Sequence, residues 1–333
     1  MAGESMLAVP PASSAARLAP GFGQRVLLTV DTEEEFDWGS PFRRDGYGLS
    51  HVEAIPRFQS FCEVIGAHPV YLVDWPIVTD ARAVEIIGDA VRRGTAEVGV
   101  QLHPWVNPPF EEEVTRFNSF AGNLPPALEA AKFMALRDAI EAAFGSAPLI
   151  YRAGRYGLGP ATADLLKRAG LRIDTSVRAL FDYSGEGGPD YSRHPLKPYW
   201  VDAERTLLEL PVTSVHWGLL RNLGVPLQRL ATKVPRALGA LSRLSLLERI
   251  ALTPEGVSAE EALRGIDIAL DSGLPVIVLS FHSPTLAPGL TPYAANEAEV
   301  EALYGWLSAI YADLARRGVR SCTVAEIVAA TAG

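Results

Sequence analysis

Short apolar runs alternate along the chain with longer stretches in which apolar positions recur three and four residues apart. The apolar runs predict buried strands over residues 25–32, 68–75, 96–103, 149–152, 172–177, 206–214 and 275–282, with a closing strand at 319–324. The helical spacing predicts helices over 55–65, 80–93, 126–144, 161–169, 259–270 and 297–317. Repeated strand–helix units imply parallel strands with helices outside. Seven or eight such units suit one α/β barrel over residues 25–333, with a helical insertion near residues 219–260. Neither GxGxxG nor GxxxxGK[ST] follows the first strand, so a nucleotide fold has no support. Residues 1–24, rich in Ala, Pro and Ser, are expected to form a disordered tail. Glu4 stands where a secretory signal carries Lys or Arg, and Pro10 and Pro11 break the apolar run.

Composition narrows the picture further. With 48% hydrophobic and 21% charged residues the chain has an ordinary globular balance. Its 39 acidic residues outnumber 30 Lys and Arg, for a formal net charge of −9. That excludes a general basic grip on nucleic acid, and no nucleic-acid partner is expected. The two cysteines, Cys62 and Cys322, make no disulfide framework or Cys-rich zinc site, so a cytoplasmic location is expected. No uninterrupted apolar run reaches membrane-spanning length.

A barrel carries its chemistry at the C-terminal ends of its strands. There the chain places Asp31 and Glu33, Asp74 and Trp75, Gln101, His103 and Trp105, Arg152, Arg155 and Tyr156, Asp174, His216 and Trp217, and His282. The strand bodies are apolar, so this ring points to an enzyme. Asp31 and Glu33 alternate on one strand and share a face, as do Gln101 and His103. Two carboxylates on one face call for a cation, whether a metal or Arg152. Glu34 and Glu35 read as solvated loop residues, and His51, His68 and His194 as structural. His216 and Trp217 suit either a substrate wall or loop packing. Asp74 either binds substrate or caps the next helix.

Five segments then resemble, in order, the motifs of the polysaccharide deacetylase family (NodB homology, carbohydrate esterase family 4). They are TVDTEEEF at 29–36, VGVQLHPW at 98–105, YRAGRYG at 151–157, IDTS at 173–176 and VLSFH at 278–282. The resemblance spans roughly residues 25–330. It implies a distorted (β/α)7 barrel and metal-dependent removal of acetyl groups from N-acetylated sugars. It makes Asp31 the catalytic base, His282 the acid, Asp174 the carboxylate that polarises His282, and Arg152 or Arg155 the arginine that steadies the base. The implied metal set is Asp31, Glu33, His103 and Gln101 around a divalent ion, with zinc expected. The usual second aspartate falls on Thr32, and Glu33 stands in for it. The usual first metal histidine falls on Gly99, or on Gln101 in a His-x-His arrangement, so one imidazole is missing. Asp74, Trp75, Trp105, Tyr156, His216 and Trp217 are the expected substrate contacts, with Trp38 also near the mouth.

One segment stands apart. Residues 219–251 carry Arg221, Arg229, Lys233, Arg236, Arg243 and Arg249 against the single acid Glu248. Basic and apolar positions separate onto two faces of an expected helix, kinked at Pro235. Such a helix either covers a barrel flank or touches an anionic membrane surface. The function expected is a deacetylase of an N-acetylated sugar or glycan precursor. The alternatives are a carbohydrate-binding barrel without turnover and a hydrolase of a non-sugar amide.

Overall fold

The computed structural model describes residues 6–331 apart from 38, 233 and 235. Trp38, Lys233 and the expected kink at Pro235 therefore lie outside the described residues. Eleven strands are present among the described residues: β1 (Arg25–Thr32), β2 (Pro69–Val73), β3 (Glu97–Leu102), β4 (Ile150–Ala153), β5 (Ile173–Asp174), β6 (Tyr199–Trp200), β7 (Leu208–Glu209), β8 (Ser214–Trp217), β9 (Glu248–Ala251), β10 (Val276–His282) and β11 (Arg320–Ser321). The main sheet runs β10-β1-β2-β3-β4-β5-β7-β6, with β11 added on β1. All its pairs are parallel except β6 with β7. It curls into a half-barrel, the distorted (β/α) barrel expected. β8 and β9 form a separate antiparallel pair.

Helices α1 (Ile55–Ile65), α2 (Trp75–Thr79), α3 (Ala81–Arg92), α4 (Pro126–Phe144), α5 (Thr162–Arg168), α6 (Gly224–Ala231), α7 (Ala237–Arg243), α8 (Ala259–Asp271), α9 (Glu297–Arg316) and α10 (Val324–Thr331) follow the strands. Their starts are set by local chemistry. Asp80 and Asn296 accept from the third residue of α3 and α9, and Ser258 with Glu261 closes a capping box on α8. α4 ends where Gly145 takes φ +79°, a left-handed turn that glycine adopts without strain.

Strand parity divides the interior. Val26, Leu28 and Val30 of β1 pack with the helices, as do Tyr71, Val73, Val100 and Tyr151. Leu27, Val70, Leu72, Ile150, Val276 and Val278 form a second, inward cluster. This inward face is apolar at the strand beginnings and polar at their ends, where Thr29, Asp31, Gln101, Arg152, Ser280 and His282 follow with the same parity. Gly99 lies lower on that face. A Cβ there would sit 2.5 Å from Ile150 Cγ2 and 2.6 Å from Leu72 Cδ2, so the position holds no imidazole.

Two expectations meet different structure. Residues 219–251 do not form one amphipathic helix: α6 and α7 are separated at Arg236, which takes φ +64°, and the chain then closes as β9. Within the expected tail, Met6 is buried, Ala15 bridges Tyr199, and the Ala19 N–H donates to Ala330 O at 2.9 Å. Among the described residues no helix is long and apolar enough to cross a membrane.

Candidate functional site

The polar strand ends surround a cavity of about 670 Å³. Asp31, at the end of β1, lies beside His282, its register partner on β10. The Asp31 carboxylate is paired with the buried Arg152 guanidinium. Arg152 Nη1 also donates to Ser280 Oγ at 2.7 Å, Nη2 to Thr29 Oγ1 at 3.0 Å, and Nε to Thr175 O at 3.1 Å. A buried guanidinium is tolerable because these acceptors answer it. Arg152, not Arg155, therefore holds the aspartate. The other Asp31 oxygen faces His282 Nε2 at 3.9 Å.

His282 has a second carboxylate. Its Nδ1 lies 2.7 Å from Glu255 Oε2, and its backbone N–H donates to Glu255 Oε1 at 3.0 Å. Burial alone would lower the imidazolium pKa, but the Glu255 charge, with Glu33 and Asp31, raises it to about 10. The histidine holds its proton at neutral pH. Burial would raise Glu255, yet the His282 charge and its hydrogen bonds pull it down.

This corrects the expectation for Asp174. In register, Asp174 pairs with Tyr151, whose ring packs outward against the helices, so Asp174 leaves the lumen. Its oxygens accept from Ser176 Oγ at 2.6 Å and Ser176 N at 3.1 Å, beside the buried carboxyl of Glu209. Glu255 occupies the place foreseen for it.

Opposite His282, Gln101 Nε2 donates to Glu33 Oε2 at 3.0 Å, and His103 Nε2 lies 3.4 Å from that same oxygen. Burial raises the Glu33 pKa to about 8; the neighbouring histidines oppose this and Glu34 and Asp31 add to it. Gln101 Oε1 is buried without a hydrogen-bond partner. An orphaned acceptor on a side chain that meets a carboxyl suits a cation.

Behind His103, Glu34 is buried rather than solvated. One oxygen lies 2.9 Å from His103 Nδ1 and the other accepts from Trp105 Nε1 at 2.7 Å. This orients His103 with Nε2 toward the cavity. Glu34, Asp74 and His103 bring one ligand atom each within 4.8 Å of one another and could also hold a metal. Yet both oxygens of Asp74 accept backbone N–H groups, from Glu34 and Ile77, and both oxygens of Glu34 are engaged. The Gln101 side has the open acceptor. Glu35, also expected to be solvated, accepts from Ser50 Oγ at 2.7 Å and meets His51 Nδ1 at 3.2 Å, and His51 Nε2 reaches Ser283 Oγ at 2.9 Å. His51 is the structural residue expected.

Several expected substrate contacts fall elsewhere. Asp74 is fully buried and caps α2, and Trp75 opens that helix against the core. His216 and Trp217 lie on the β8–β9 pair, where His216 Nε2 is 2.5 Å from Gln228 Oε1 and Trp217 stacks under Arg264. None of these four lines the cavity. Trp105 and Tyr156 do line it, with Phe42 and Tyr183. Arg155 forms part of the wall, bonded to Ser119 Oγ at 2.6 Å and paired with Glu186. Arg155 and Tyr156 take φ of +53° and +59°, a strained turn over the site. Gly154 allows it: a Cβ would lie 2.4 Å from His103 Cδ2.

Glu255, Lys132 and Arg178 gave no sequence signal. Buried Lys132 of α4 donates to Pro104 O at 2.9 Å and Asn107 O at 2.6 Å, clamping the loop that carries Trp105.

No protein-family model and no curated protein sequence matches the chain. Solved structures do. A GH57-type branching enzyme from Pyrococcus horikoshii is similar at 12% identity and TM-score 0.52, over 92% of this chain and 70% of that one. A 4-α-glucanotransferase from Thermococcus litoralis is similar at 11% identity and TM-score 0.52, over 92% of this chain and 40% of that one. A protein from Mycobacterium smegmatis assigned as a polysaccharide deacetylase is similar at 17% identity and TM-score 0.48, over 95% and 98%. At these identities the likeness is one of fold.

Proposed function

We propose that the cavity is the active site of a hydrolase that removes an N-acetyl group from a sugar or glycan precursor. The observation that carries the reading is the pair of compensated ion pairs at its floor, Asp31–Arg152 and His282–Glu255, which face one another with His282 Nε2 at 3.9 Å from Asp31 Oδ2. Trp105, Tyr156 and Tyr183 supply aromatic faces on which sugar rings stack.

Each group has a physical role. Arg152 holds one oxygen of Asp31, and the other accepts the proton of the attacking water as the water oxygen bonds to the acetamide carbon. His282, protonated because Glu255 faces its Nδ1, gives its proton to the nitrogen as the C–N bond breaks. Acetic acid and a free amine leave, the proton taken by Asp31 passes back to His282, and water has supplied the oxygen and both hydrogens. Glu33, His103 Nε2 and Gln101 Oε1 would hold a divalent cation, with zinc suited to the nitrogen donor. When bound, such an ion polarises the carbonyl and eases ionisation of water. Asp31, already held by Arg152, serves as base rather than ligand.

Acetate release from N-acetylated mono- and oligosaccharides tests this, with His282→Ala and Asp31→Asn as controls. Release that both substitutions abolish is expected. Sugar binding without any release would favour the non-catalytic reading, which the neutral Gln101 in place of an imidazole supports. Release only from non-sugar acetamides would point to the third.

We further propose that the insertion rests on an anionic membrane surface. Leu219 is 80% exposed and Leu244 67%, with Leu223 and Leu230 also exposed. The same stretch carries six basic residues against Glu248 in a chain of net charge −9. Deletion is a poor test, because Ile250 of β9 is buried in the core. Co-sedimentation with phosphatidylglycerol vesicles, lost in Leu219→Glu/Leu223→Glu/Leu244→Glu, is expected. Equal recovery of the full chain with neutral and anionic vesicles would end the idea.

A further inference from the structure

The charges lining the cavity do not balance. Arg152 is answered by Asp31. Arg155 is paired with Glu186, and Arg116 lies 3.0 Å from the same carboxylate. Arg178 has no carboxylate within 4.0 Å among the described residues. Its Nη1 reaches only the Tyr183 hydroxyl at 3.5 Å, and its Nε is buried without a partner. Its guanidinium lies 4.0 Å from the Phe181 ring and 5.4 Å from the Tyr156 ring, which fix its plane. A second guanidinium, Arg249, lies 3.6 Å from the same Phe181 ring, donates to Leu180 O at 3.0 Å and makes no ion pair among the described residues. Glu255 acts on Arg178 only from beyond ion-pair distance, and two like charges about one ring, with no ion-paired acid among the described residues, cost free energy unless an anion arrives. Arg178 opens on the cavity that holds Asp31 and His282.

We infer that the substrate carries an anionic group, a carboxylate or a phosphoryl, and that Arg178 binds it. The inference rests on reading the cavity as an N-acyl sugar site. A guanidinium presents two parallel N–H groups, which match the two oxygens of either anion, and stacking has already removed much of its rotamer freedom. The neutral ring lies along the aromatic wall, and the anion gives the orientation that brings the acetamide between Asp31 and His282. Arg178 is therefore a specificity-determining residue, separate from the groups that move protons.

Calorimetric titration of the full chain with three probes tests this: N-acetylglucosamine, its 1-phosphate, and N-acetylglucosaminuronic acid. At least one anionic probe is expected to bind about tenfold or more tighter than the neutral sugar. Arg178→Gln should remove that advantage and leave the neutral sugar unchanged, while Arg178→Lys keeps part of it. Which anion gains tells phosphoryl from carboxylate. Equal binding of all three probes, no binding of either anionic probe, or an advantage that survives in folded Arg178→Gln overturns the inference. Acetate release is read separately. Anion preference without release leaves the inference standing and sinks deacetylation; release with no anion preference does the reverse. Where turnover is seen, Arg178→Gln should lower kcat/KM for the anionic substrate and abolish its advantage over the neutral one.

Discussion

Glu255→Gln is the sharpest test of the acid. Glu255 is the largest influence raising His282, and burial acts in the opposite direction. Glutamine keeps the size and can still hydrogen-bond Nδ1, but it removes the charge. The His282 pKa should then fall from about 10 to 6.5, its ordinary value, or below. The sign is fixed: a histidine raised by its partner is protonated below its pKa and loses its proton as pH rises through it. At pH 8.5 the native histidine is almost wholly protonated, whereas with an ordinary pKa about one molecule in a hundred is, a roughly 100-fold difference in competent enzyme. The assay is acetate release from pH 5 to 10.5, with melting temperature measured at each pH. The descending limb should move from near pH 10 to near neutrality, and activity at pH 6 should be mostly kept. A limb in the same place in both proteins, with both folded, would refute His282 as the acid or Glu255 as the group that charges it.

Three further outcomes follow from the same geometry. Gln101→His puts an imidazole in place of an amide whose Nε2 donates to Glu33 and whose Oε1 has no partner; zinc affinity, read by competition with a chromogenic chelator, should rise at least about tenfold. Asp31→Asn leaves the buried Arg152 uncompensated and should cost about 3–5 kcal/mol by urea unfolding, whereas Asp31→Asn/Arg152→Met should regain stability but no acetate release; full recovery of activity in the double variant would remove Asp31 from the chemistry. Gly154→Ala drives a methyl to within 2.4 Å of His103 Cδ2, so thermal unfolding should show a loss of about 1–3 kcal/mol and release should fall with it; an unchanged melting temperature would contradict the close approach.

Much of the fold was legible because its strands are long enough to show a period. β1 and β10 run eight and seven residues, and their alternation alone places Asp31 and His282 on the inward face. The same parity joins Gln101 to His103. The order of strands and helices announced the half-barrel.

Where periodicity fails, the sequence was silent or misleading. β5 has two residues, too few to show which face Asp174 takes, and the register with Tyr151 turned it outward. Glu34 follows the end of β1, where alternation no longer governs, and the chain bends it under His103. The strand expected over 206–214 shortens to β7, and His216, expected beyond its end, falls on β8, which pairs with β9 off the main sheet. Glu255 lies in a loop 27 residues from His282 and reaches it only because the chain beyond β9 returns beside β10, where the Ser280 N–H donates to Leu252 O. The sequence by itself determined the layered α/β architecture and the inward rows of β1, β3 and β10, since these follow from local spacing. Only the tertiary structure decided which carboxylate charges His282, which arginine holds Asp31 and which arginine opens on the cavity with no ion pair among the described residues. Those are pairings between distant residues, set by register and by the return of loops, and no local pattern encodes them.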